Sequence, residues 1–163
     1  MELKRRIDNL HRVGAWLSER EDPNLIASIH LASIRNPWFT KESIDQSIKA
    51  VSADYLQKNA LEAFANQYPI EESNHWRRVA VVLAGNIPLV GFHDLLCVYL
   101  AGHQSIIKLS DKDNVLIGLI INKLMEEHDD KLAQELKEIR DLLGRFHNQK
   151  IFYRPANRFG RGK

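Results

Sequence analysis

The sequence predicts an α/β fold in which a block of helices precedes an incomplete parallel sheet. Apolar residues recur at helical spacing throughout the first seventy residues. Two short, continuous apolar runs then appear, Val79–Leu83 and Ser105–Leu109, and each is followed by a helical pattern. Strand, helix, strand, helix at this spacing is a βαβα unit with parallel strands and a right-handed crossover.

In the first helix Leu3, Ile7, Leu10, Val13 and Leu17 form one apolar stripe with charges between them. A second helix is expected from Asn24 to Ile34, ending at Asn36-Pro37 because proline disfavours helical geometry in the residue before it. Thr40 reads as the N-cap of a third, whose stripe is Ile44, Ile48 and Val51. A fourth helical region spans Asp54–Tyr68, carries Leu56, Leu61 and Phe64, and closes at Pro69. Val79–Leu83 has the composition of a strand buried on both faces. The helix after it is expected from Val90 to Ala101. The helix after the second strand is expected from Asn114 to Glu127, capped by Ser110 or Asp113, with Val115, Leu119 and Leu124 inward.

The chain has 163 residues, enough for one domain with a sizeable core. Its 44% hydrophobic and 27% charged residues are ordinary for a globular protein, and no apolar run has the length of a membrane span. Acidic residues interrupt the basic start, so it is not a secretory signal. A single cysteine, Cys97, excludes an internal disulfide framework and the multi-cysteine zinc patterns, and it suits a reducing cytoplasm. The net charge of +2 is unevenly spread: six of the 23 basic residues lie in 144–163, which has no acid. The remaining 17 face 21 acidic residues, so residues 1–143 carry about −4. The expected division is a helical segment at 1–76, a partial dinucleotide-binding domain at 77–143 and a basic tail at 144–163.

The loop Ala84-Gly85-Asn86-Ile87-Pro88-Leu89 follows the first strand, where open α/β sheets bind ligands. Gly85 permits a sharp turn and close backbone approach, and Pro88 suits a first helical turn. Asn86 either offers its side-chain amide to a developing oxyanion or caps the local backbone. Lys108, near the end of the second strand, either reaches into the crevice or snorkels to water. Asp111, three residues on, is placed to accept a hydrogen bond from a ribose hydroxyl. No G-x-G-x-x-G occurs in the first βα turn.

The run VAVVLAGNIPLVGFHDLLCVYLAGHQSIIKLSDKD resembles the LuxC-like fatty acyl-CoA reductases of the aldehyde dehydrogenase superfamily. The match covers about Arg77–Lys123, and the combination of AGNIPLVGFHD with a following K-L-S strand end is its specific part. The resemblance implies a Rossmann-like sheet of the aldehyde dehydrogenase type and NADP or NAD as cofactor, with acyl-CoA as the substrate of the complete enzyme. It gives Asn86 an oxyanion-hole role, and Lys108 and Asp111 the adenosine ribose. Ala84, Gly85, Ile87 and Pro88 then line the cofactor cleft. A carboxylate at the ribose disfavours a 2′-phosphate, whereas the family is associated with NADPH, so Asp111 leaves the choice between NAD and NADP open.

The family's chemistry is covalent: a cysteine thiolate attacks the thioester, and a hydride reduces the thioacyl enzyme to an aldehyde. Cys97 lies mid-helix and reads as a small buried hydrophobe. The nucleophile is therefore expected to be absent, and the chain to be an inactive N-terminal fragment. His93-Asp94 does not form a dyad, because neighbours on a helix point about 100° apart. The remaining histidines read as surface or turn residues without metal-ligand spacing. Two other readings remain, a non-catalytic nucleotide-binding or interaction module and a nucleic-acid binder working through the tail. Nucleic acid is the less expected partner, and a homo-oligomer is compatible with the sequence.

Overall fold

A computed structural model describes residues 1–70, 77–128 and 151–152. Helix α1 spans Leu3–Glu19, α2 Pro23–Arg35, α3 Lys41–Ala50 and α4 Lys58–Ala65. Strand β1 is Arg78–Val82, α5 Phe92–Leu100, β2 Gln104–Lys108, α6 Val115–His128 and β3 Ile151–Phe152. The α/β class and the β1–α5–β2–α6 order are as expected.

The α1 stripe is buried in full at Ile7, Leu10, Val13 and Leu17. Asp22 caps α2 by accepting from the Asn24 and Leu25 amides, with Pro23 at the first helical position. Thr40 Oγ1 accepts from the Ser43 amide at 3.2 Å, the cap expected for α3. Ile44, Ile48 and Val51 are buried beneath it. The fourth helical region departs from expectation. A single π-helical turn at Val51–Tyr55 ends at Leu56, and a new helix starts only at Lys58. Leu56 is fully buried against Gly14 of α1, so the chain breaks its helix there to seat that side chain.

β1 and β2 are parallel, with Val81 opposite Ile107 and Val82 opposite Lys108. β3 joins β2 antiparallel, Ile107 opposite Ile151, so the sheet is mixed where an all-parallel one was expected. β1 is not buried on both faces either. Val81 packs inward, whereas Val82 is 72% exposed and Ala80 is exposed, the alternation of a strand with one covered face. On α6 the buried positions are Leu116, Ile117, Ile120, Ile121 and Leu124. Val115 and Leu119 are only half-buried, so the inward face is rotated from the one expected.

The N-terminal helices and the sheet share one core. α1 packs on α5 and α6, and α2 packs on α6. Asn9, fully buried, donates to the Tyr99 hydroxyl at 3.0 Å. Among the described residues no helix is long and apolar enough to cross a membrane.

Candidate functional site

Parallel pairing brings the loops after β1 and β2 to the same end of the sheet. The Leu83 amide donates to the Lys108 carbonyl at 3.0 Å, extending the pairing to the brink of both loops. Ala84, Asn86 and Ile87 are exposed on the first loop, and Lys108 and Asp111 on the second. The Asn86 side chain makes no hydrogen bond among the described residues, so it does not act as a local backbone cap. Lys108 reaches solvent rather than a buried position and forms no ion pair with Asp111. The expected desolvation cost at Lys108 is therefore not incurred.

Gly85 and Pro88 are buried, and Gly85 serves the contact between the two loops. A Cβ on Gly85 would lie 2.4 Å from Ser110 Oγ and 3.1 Å from the Asp113 nitrogen. The space left by the missing side chain is thus filled by the neighbouring loop, and Ala84, Asn86 and Ile87 are the exposed residues of the first loop.

The turn that follows is formed from unusual residues. The Val90 amide donates to the Ile87 carbonyl at 3.3 Å, Pro88 is second in the turn, and Leu89 is third with φ of 61°. That is the pattern of a type II turn, whose third position favours glycine. The turn also delays α5, which begins at Phe92 rather than Val90. Leu89 is 3% exposed, and its amide donates to Asp113 Oδ2 at 2.7 Å. Asp113 is itself 3% exposed, and its Oδ1 is buried without a hydrogen-bond partner among the described residues. Burial pushes its carboxyl up to about 6, and the Leu89 and Ile117 amides only partly counter this. The sequence marked Asp113 only as a candidate helix cap. Its link to Leu89 lies 24 residues away and has no local signal.

Cys97 is half-buried rather than fully buried, with its Sγ 3.8 Å from His93 Nδ1. Burial and the neighbouring Asp94 raise its thiol above the usual range, the opposite of an activated nucleophile. The exposed His93 meets the rings of Tyr55 and Phe64 edge-on. His11 is half-buried, its Nδ1 3.2 Å from the Leu56 carbonyl, and His103 Nδ1 is buried without a partner. These two are not simple surface residues. No group of metal-ligating side chains forms among the described residues. Apart from Ile151 and Phe152, the basic tail lies outside the described residues, as do His75 and His147.

The two loops at the carboxyl ends of the parallel strands, where the ligand crevice is expected, carry an exposed carboxamide at Asn86, an exposed ammonium at Lys108 and an exposed carboxylate at Asp111. No family model, curated protein or solved structure matches the chain.

Proposed function

We propose that this crevice is the oxyanion and ribose side of an NAD(P)H-dependent fatty acyl-CoA reductase. The observation that carries the reading is the register of Val82 with Lys108, which sets Lys108 beside the loop that bears Asn86. Lys108 is exposed and makes no ion pair among the described residues, so it can donate to ribose hydroxyls and Asp111 can accept from them. Asn86 has an uncommitted amide to donate to a thioester oxygen as it gains charge. NADP or NAD would supply the hydride. The negative Asp111 weighs against a 2′-phosphate, so both cofactors belong in any test.

Cys97 sits on α5 against His93 with a raised thiol, and it is not the nucleophile in this reading. In this reading residues 1–163 supply no nucleophilic cysteine, and the isolated chain is expected to turn over no acyl-CoA. A reducing cytoplasm suits its single free thiol.

Calorimetric titration with NADPH, NADH and a long-chain acyl-CoA tests the reading. Nucleotide binding is expected to weaken on Lys108→Ala, and acyl-CoA binding on Asn86→Ala. The state of Cys97 also favours a second reading, a nucleotide-binding module without catalysis. That module would bind nucleotide normally, and Asn86→Ala would leave acyl-CoA behaviour unchanged. Absence of any nucleotide binding would defeat both readings.

A further inference from the structure

We propose that Asp113 is the positioning residue of the crevice, a clamp that holds Leu89 in a left-handed turn and so fixes the loop that presents Asn86. The proposal rests on the reading of the crevice given above and adds a residue that the reading leaves without a role.

Leu89 occupies a conformation, φ of 61°, that an L-residue with a bulky side chain adopts only under constraint. Strain of this kind persists where surrounding structure over-determines it. Two contacts do so here. The Leu89 side chain is buried, and its amide is held at 2.7 Å by a carboxylate from the next βα loop. Gly85 admits Ser110 and the Asp113 backbone to close contact, so the loops meet on both sides of Asn86. Ser110 Oγ in turn accepts from the Lys112 amide at 3.3 Å, which shapes the second loop. Asn86 therefore stands between two fixed points, Gly85 and the Ile87–Val90 turn. An amide donor aimed at a developing charge is effective only when it is preorganised.

Asp113 is a poor choice for stability alone. One of its oxygens has no partner among the described residues, and a buried acid carries a desolvation cost that a neutral acceptor would avoid.

The test compares the wild-type chain with Asp113→Asn, which keeps an acceptor oxygen, and Asp113→Ser, which keeps a hydroxyl at the head of α6 but falls short of Leu89. Gly14→Ala, in the distant contact of α1 with Leu56, serves as a stability control. Hydrogen exchange at the Leu89 amide and the Kd for NADPH are measured for each. Asp113→Ser is expected to speed Leu89 exchange and raise the Kd about tenfold, equivalent to about 1.4 kcal/mol. Asp113→Asn is expected to restore both, and Gly14→Ala to leave the Kd unchanged while lowering Tm. Unchanged Leu89 exchange in Asp113→Ser overturns the clamp, as does a Kd that follows Tm across all variants. If the wild type binds no NADPH, the reductase reading fails by itself, and Leu89 exchange alone then decides the clamp.

Discussion

Arg6 donates its Nε–H to the Leu100 carbonyl at 2.9 Å, joining the first turns of α1 to the last residue of α5 across 94 positions. The guanidinium is buried, and Gly102, with φ of 76°, lets the chain turn beside it. A cation at the carbonyl end of a helix is favourably placed in the helix field. Arg6→Met is expected to cost about 1.5–3 kcal/mol, the scale of a buried charge-assisted hydrogen bond. Arg6→Lys is expected to recover little, because an ammonium lacks the planar fork. Urea unfolding of the two variants checks both statements.

Gly14→Ala should destabilise the chain although alanine is the better helix former by about 1 kcal/mol. An added Cβ would lie 2.6 Å from Leu56 Cβ and 3.1 Å from the Leu56 carbonyl oxygen. That neighbour is fixed by the helix break, so overpacking is expected to outweigh propensity by a net loss of about 1–2 kcal/mol. Tm measured beside a Ser18→Ala control gives the comparison.

Asp113 makes a sign-specific prediction for pH. Its carboxyl titrates at about 6 in the folded chain, above the ordinary value of 3.8, so the folded state binds its proton more tightly. The resulting stability is present at low pH and is lost as pH rises from the ordinary carboxyl range through about 6. Asp113→Asn cannot ionise. Its stability relative to wild type should therefore improve by about 2–3 kcal/mol between pH 4 and pH 8. Denaturant midpoints at the two pH values would measure this, and a flat difference would contradict it.

Lys108→Ala should weaken NADPH and NADH binding, whereas His93→Ala should not. Lys108 borders the crevice, while His93 packs beside Tyr55 and Phe64 on α5. The loss of one charge-assisted hydrogen bond corresponds to about 1.5–3 kcal/mol in binding free energy. Calorimetry on the two variants separates the roles, and equal weakening would count against Lys108.

Cys97 should react slowly with iodoacetamide. Its half-buried thiol is raised by desolvation and by Asp94, which lowers the thiolate fraction near neutral pH. The alkylation rate is expected to fall below that of an unstructured cysteine peptide at pH 8 and to match it after unfolding.

Helix positions were legible because period and cap are local signals. Ile7, Leu10, Val13 and Leu17 could only share one face, and Thr40 had its Ser43 amide within one turn. The strands were legible as apolar runs, but their exposure was not. Val82 is as apolar as Val81, and only the neighbours on each face distinguish them. Arg6 and Asn9 stand among the polar residues between the apolar positions of α1, where nothing local marks them as buried, yet they meet Leu100 and Tyr99 in the core. The positions of Asn86, Lys108 and Asp111 followed from strand ends, which the pattern located. The Leu89–Asp113 link did not follow, since a positive φ at leucine has no signature in sequence and its partner lies in another loop.

The packing of α1 on α6 has a consequence for synthesis. Arg12 pairs with Glu127, 115 positions later, and the apolar stripe beside Arg12 is covered by elements that leave the ribosome long after it. At ordinary translation speeds that interval is on the order of 10 s. Throughout it, Leu10, Val13 and Leu17 lack part of their eventual cover. Slower decoding between α4 and β1 would lengthen the exposure of these side chains.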